Sequence, residues 1–334
     1  MRKLIALEEH LATPEVAQAW RTAPGTDRDR DDVASMMTMA GEALLDVGEG
    51  RLAAMDDQGI DVQVLSLTAP GVQNLEAERA VPLARGANDA IAAAVAAHPD
   101  RFDGFATLPT PDPEAAAVEL RRAVSELGLA GAMIHGRTGP VRLDDPRNEP
   151  IWAAAAELGA PIYVHPHQPV DEVRDVYYSG FDPATDAALA GPAIGWHYET
   201  GMQVLRLILA GAFDRHPQLQ LIVGHWGEVV LFYLDRISAV SGRFGTDLRR
   251  PVADYFRENV SYTGSGLTVP RMLRWTIELV GVERVMTAVD HPFIDNSGGA
   301  ARRFLEEADL TEAEKDAIGH GNWERLRPGG GSAL

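Results

Sequence analysis

Four short apolar runs in this 334-residue chain each end on a side chain of the metal-binding type. Leu4-Ile5-Ala6-Leu7 leads into Glu8-Glu9-His10, Ile162-Tyr163-Val164 into His165, the run from Leu219 to Gly224 into His225, and that from Val285 to Val289 into Asp290. A parallel (β/α)8 barrel points the carboxyl ends of all its strands at one face, so residues far apart in sequence converge there.

The rest of the chain has the rhythm such a barrel needs. Strand candidates fall at residues 4–8, 62–67, 102–108, 130–134, 161–165, 219–225, 260–262 and 284–290. Helical patterns lie between them at 51–58, 77–97, 113–127, 149–158, 196–210, 228–240 and 269–280, with another at 300–307. Alternation of this kind signals a parallel sheet covered by helices. An open doubly wound sheet is the competing fold, but no Gly-rich turn after a strand resembles a nucleotide-binding fingerprint. The expected class is therefore α/β, a (β/α)8 TIM-type barrel forming one domain over residues 1–327. Residues 328–334 read as a flexible tail and 312–325 as a terminal helix capped near Thr311.

Thr13-Pro14 opens a short helix running to Trp20, with Thr13 as cap and Pro14 at the first helical position. Residues 21–50, with a charged run from Asp27 to Asp32 and methionines at 36, 37 and 39, read as an irregular excursion. Residues 166–193 read as a second one. Connections this long inside a compact domain are usually functional loops, and both are expected to roof the strand ends.

Charge and cysteine content narrow the chemistry. A formal charge of -19 repels nucleic acid and anionic membranes. It also gives no long-range attraction to a carboxylate substrate, so an acid must be bound by a local metal or arginine. With no cysteine, thiolate zinc sites, disulfides and cysteine nucleophiles are excluded. Met1-Arg2-Lys3 runs directly into a strand, and nothing approaches ~18 uninterrupted apolar residues, so a cytoplasmic protein is expected.

Period-two alternation puts Glu8 and His10 on one strand face and Glu9 on the other. Pro166 bars a further ladder bond and leaves His165 at the barrel mouth. His225 sits between Gly224 and Gly227 at a tight turn, where Glu228 can orient its imidazole. Arg236, eight residues after Glu228, can share its helix face. Asp290 at a strand end is costly to bury unless paired or metal-bound. Mixed carboxylate and imidazole ligands suit one Zn2+ or Mn2+. His167 reads as a polar loop residue that can also touch substrate.

Together, Ala6-Leu7-Glu8-Glu9-His10, Pro99-Asp100-Arg101-Phe102, His165-Pro166, Gly224-His225-Trp226-Gly227-Glu228 and Asp290-His291-Pro292-Phe293 resemble the amidohydrolase superfamily. The resemblance is to its aminocarboxymuconate-semialdehyde decarboxylase-like branch, with γ-resorcylate and 2,3-dihydroxybenzoate decarboxylases. It implies a metal-dependent, non-oxidative decarboxylase of an ortho-hydroxybenzoate-type acid, without organic cofactor, working as a homodimer or homotetramer. By the same resemblance Glu8, His10, His165 and Asp290 bind the metal. Asp290, His225 and Glu228 are catalytic, and Arg236, Phe293 and Arg51 lie near the substrate. The chain departs from the pattern at His167, Trp226 and His291, which are expected to face the substrate. A hydrolase of a lactone or amide on the same barrel is the alternative, and a non-catalytic metal-binding protein a further one.

Overall fold

Each strand of the barrel is short because the helix following it carries the chain back along the sheet. A computed structural model describes residues 2–23 and 27–329. The strands are β1 (Ile5–Leu11), β2 (Val62–Leu67), β3 (Phe102–Gly104 continued by Ala106–Thr107) and β4 (Ala132–His135). They continue as β5 (Ile162–His165), β6 (Leu221–Val223), β7 (Val260–Thr263) and β8 (Val285–Ala288).

Every pairing among them is parallel, in the order β3-β2-β1-β8-β7-β6-β5-β4-β3. Closure occurs at Phe105. Its N–H donates to Leu65 O at 2.8 Å, toward β2, and the next N–H, of Ala106, donates to Gly131 O at 2.9 Å, toward β4. One strand thus changes partners at its midpoint and joins both ends of the sheet, giving the expected barrel.

Inside, Ile5, Leu7, Val64, Phe105, Met133, Tyr163, Ile222 and Met286 fill the lumen, and Trp323 closes its amino-terminal end, 5.3 Å from the Phe105 ring. Outside, helices bury stripes against the strands. In Ala77–Ala97 the stripe is Ala80, Ala84, Ala87, Ile91 and Ala94, at helical spacing and with side chains small enough for close approach. Caps set the helix starts: the Thr13 side chain accepts from Val16 N at 3.3 Å, and Asp112 accepts from Ala115 N at 3.1 Å just before Pro113.

Two expectations need correction. Residues 21–50 are not irregular, because Asp27–Leu45 is a 19-residue helix. Its apolar stripe of Val33, Met36, Met37, Ala40 and Leu44 has helical period and packs on the core. The charged run before it is the opening of that helix rather than a loop. The excursion after β5 likewise holds helices Asp171–Tyr177 and Pro183–Ala188. The expected terminal helix is present, running from Glu312–Asp316 to Asn322–Leu326 through a wider helical turn at Ala317–Gly321. There Gly319 passes so near β1 that a Cβ would lie 2.9 Å from Lys3 O. Of the expected tail, residues 330–334 lie outside the described residues.

Candidate metal and acid-base site

Strands β6 and β8 each stop two residues before their chemistry-bearing side chains, His225 and Asp290. Left-handed backbone then aims those side chains. Glu8 (φ 71°), His225 (φ 47°) and Asp290 (φ 56°) all adopt a conformation that L-residues rarely take. At Glu8 the register between β1 and β2 slips between Ala6 and Glu9, so the pairing of Glu8 with His10 is set by a bulge and not by regular alternation. The turn from His225 to Val229 is left-handed at all five residues, with Gly227 (φ 93°) at its centre. Such strain collects where a structure holds a functional geometry in place.

Four ligand-type atoms converge at this mouth. His10 Nε2 lies 3.3 Å from Asp290 Oδ1, and His165 Nε2 lies 3.5 Å from Glu8 Oε1. The donor atoms of Glu8, His10 and His165 all fall within 4.8 Å of one another. Each ligand is oriented from behind. Glu8 Oε2 accepts from the Tyr163 hydroxyl and from Ser265 Oγ, with Thr263 Oγ1 at 3.5 Å. His165 Nδ1 bonds Pro166 O at 2.8 Å, leaving Nε2 to face the cluster.

Glu8 Oε1 and His10 Nε2 are buried and have no hydrogen-bond partner among the described residues. Leaving such atoms unsatisfied costs about 1–3 kcal/mol each, so the donor set fits a divalent cation. Burial lowers the His165 imidazole well below its usual range, with His10 adding to the effect, and a neutral imidazole is the ligating form.

Beside this cluster His225 Nδ1 bonds Glu228 Oε1 at 2.6 Å, and Glu228 Oε2 bonds His197 Nδ1 at 2.7 Å. Burial opposes charge on His225, but Glu228, Glu8 and Asp290 outweigh it and push the imidazole up to about 10. The second close group of acid and imidazole, His197 with His225 and Glu228, is accounted for by these two bonds.

A cavity of about 840 Å³ opens over the cluster, lined by His165, His167, His225, Asp290 and Phe293 among others. The Phe293 ring lies 5.5 Å from that of His10. His167 is held neutral by burial, with Arg137 adding to the shift.

Four expected substrate-facing residues are placed elsewhere. Arg51 is 1% exposed and spends its guanidinium on the carbonyls of His10, Asp46 and Ala43 and on Gln63 Oε1. Trp226 turns into the core, where its Nε1 donates to Leu267 O at 2.9 Å and its ring packs near Phe304. His291 faces Gln58 Nε2 at 3.5 Å, its imidazole pushed down to about 3 by burial and Arg51. Arg236 is exposed on the helix Leu234–Val240 and does not line the cavity. For Trp226 and His291 the reason is that the left-handed residue just before each, His225 and Asp290, turns its side chain off the face that alternation assigns to it.

Sequence reasoning also missed residues. Tyr163 and Thr263 sit two positions before His165 and Ser265, so period two was a signal for both. His135 Nδ1, 3.3 Å from His165 Nδ1, ends β4 beside the paired β5 strand. His197, which follows the second excursion at a place expected to line the pocket, does line the cavity.

Comparison with known proteins places these features. The family model described as amidohydrolase matches residues 41–326. γ-Resorcylate decarboxylase of Rhodococcus jostii (strain RHA1) is 38% identical over 96% of this chain and 97% of its own. The crystal structure of 5-carboxyvanillate decarboxylase from Sphingomonas paucimobilis has a TM-score of 0.89 at 35% identity, covering 98% of this chain and 99% of that one. A dihydroxybenzoic acid decarboxylase from Polaromonas sp. JS666, solved with manganese and 2-nitroresorcinol, has a TM-score of 0.84 at 35% identity, covering 98% and 97%.

Proposed function

This chain belongs to the amidohydrolase family, and from that premise we propose that it is a metal-dependent, non-oxidative decarboxylase of a hydroxylated aromatic acid of the ortho-hydroxybenzoate type. The observation that carries the reading is the convergence of Glu8, His10, His165 and Asp290 at a cavity whose adjacent wall presents the His225–Glu228 pair. The three full-length relatives compared above are named as decarboxylases of aromatic acids, which supports it.

Glu8, His10, His165 and Asp290 would hold one divalent cation, Mn2+ or Zn2+. Bound there, it supplies positive charge against the substrate carboxylate and the neighbouring ortho oxygen, which the acidic chain otherwise repels. His225, oriented by Glu228 and charged at neutral pH, donates a hydrogen bond that holds the phenolic oxygen. Asp290 delivers a proton to the ring carbon that bears the carboxylate. The bond between that carbon and the carboxyl carbon then breaks, its electron pair returns to the ring, and CO2 departs. Water restores the Asp290 proton. Phe293 and His167 line the space for the ring. A proton delivered this way accounts for roughly 10²- to 10⁴-fold, and electrostatics and positioning supply the remainder.

Residues 1–327 form one barrel domain in this reading, with 21–50 and 166–193 over the site. Phe232 and Tyr233 stand exposed near Arg236, which supports self-association as a dimer or tetramer. No described helix is long and apolar enough to cross a membrane. A cytoplasmic location belongs to the proposal and is checked by fractionation.

The test is CO2 release and loss of ultraviolet absorbance from a panel of ortho-hydroxybenzoates, with protein loaded with Mn2+ or Zn2+. Metal-dependent turnover that falls at least about 10²-fold in Asp290→Asn is the expected result. Turnover that survives the substitution would remove Asp290 as the acid.

A further inference from the structure

The cavity is larger than the reaction needs. At about 840 Å³ it lies near the upper end of the roughly 300–1,000 Å³ that encloses a drug-sized ligand. A single-ring acid with its carboxylate at Glu8, His10, His165 and Asp290 fills only the inner end, against His225 and Phe293. The rest of the lining mixes polar side chains, among them Ser35, Asn74 and Thr138, with an apolar set. Val33, Met36 and Met39 from the helix Asp27–Leu45 stand there, with Leu75, Pro140 and Ala188 from three other segments. Not one of these six side chains carries a strong hydrogen-bonding group.

We propose that the acid decarboxylated here carries an extended, uncharged, apolar arm that lies in this outer chamber against Val33, Met36 and Met39. The inference rests on the decarboxylase reading and deepens it by naming a substrate class.

Three observations converge. Unbranched thioethers adapt to a flexible chain better than branched side chains do, and Met39, 74% exposed, has room to fold over one. The chamber wall is fixed in place: Arg174 bonds Asp32 at 3.0 Å and Arg28 bonds Asp175 at 2.6 Å, tying the helix Asp27–Leu45 to the excursion after β5. With Asp32 paired to Arg174, it is Glu76 in the same lining that disfavours a second carboxylate on the arm. Arg137, also in the lining, donates to the carbonyls of Gln168, Gly139 and Pro169.

The test is titration calorimetry on Mn2+-loaded protein with 2,6-dihydroxybenzoate and its methyl, propyl and pentyl derivatives, substituted at ring position 3 or 4. Each fully buried methylene strengthens binding roughly fourfold. In one of the two series the pentyl acid should therefore bind at least about tenfold tighter than the unsubstituted acid. That slope should flatten in the Met36→Gln/Met39→Gln double variant, which separates a defined chamber from non-specific adsorption. Affinity that is flat or falls with chain length in both series overturns the proposal and makes the chamber an entry passage. CO2 release, followed in parallel, keeps the two readings apart. A chain-length gain without CO2 sustains the arm and defeats decarboxylation, whereas CO2 from the unsubstituted acid with no gain does the reverse.

Discussion

Arg51 shows how much of this site is held from behind. It is a buried cation 12 residues from its Gln63 partner and 41 from its His10 partner, and it bonds main-chain carbonyls on both β1 and the segment after the helix Asp27–Leu45. Burial pulls its guanidinium down to about 10, with Glu9 and Asp46 opposing the shift, so it stays charged at neutral pH. Its role is to clamp the strand carrying Glu8 and His10 to the roof of the site. Arg51→Met should cost about 2–4 kcal/mol in urea unfolding, because three carbonyls lose a charged donor, and should also weaken metal binding. A loss below about 1 kcal/mol would mean that those carbonyls find other donors.

At the scale of elements, the contact that matters most is between the helix Gly195–Leu209 and the left-handed turn at His225–Glu228. Gly201 lets them touch: a Cβ there would fall 2.2 Å from Glu228 O, a main-chain atom that cannot swing aside. The same helix supplies His197 to the free oxygen of Glu228. Gly201→Ala should therefore displace Glu228 from His225 and lower kcat at least about tenfold, at a packing cost of roughly 1–3 kcal/mol. Alanine is the better helix former, so circular dichroism should show the helix retained. Unchanged kcat in the folded variant would show that the turn holds its geometry without this contact.

For the whole molecule, the barrel brings Glu8, Glu9 and Asp290 together in a chain already carrying -19. Burial raises Glu9 well above the usual carboxylate range, and Val289 N, donating to its Oε1 at 2.9 Å, partly offsets that. A cation binding only the folded state adds about 2.7 kcal/mol of stability at a concentration 100 times its Kd. Chelation should accordingly lower Tm by several degrees while far-ultraviolet circular dichroism stays native, because Tyr163 and Ser265 still hold Glu8. A Tm indifferent to chelator would argue against a cation at these four residues.

What the amino-acid sequence determined by itself was the ring of eight strands, the side chains at their carboxyl ends and the local caps at Thr13 and Thr311. Those features depend on alternation, period and hydrogen bonds within a few residues, all of which are written locally. The helix at Asp27–Leu45 was also legible in its stripe of Val33, Met36, Ala40 and Leu44, but the charged run ahead of it resembled a loop. Only the tertiary structure decided where Arg51, Trp226 and His291 point, that His197 completes the Glu228 pair, and how far the cavity extends. Each depends on a left-handed residue that resets the facing of its neighbours, or on a partner tens to hundreds of positions away, and no local pattern encodes either.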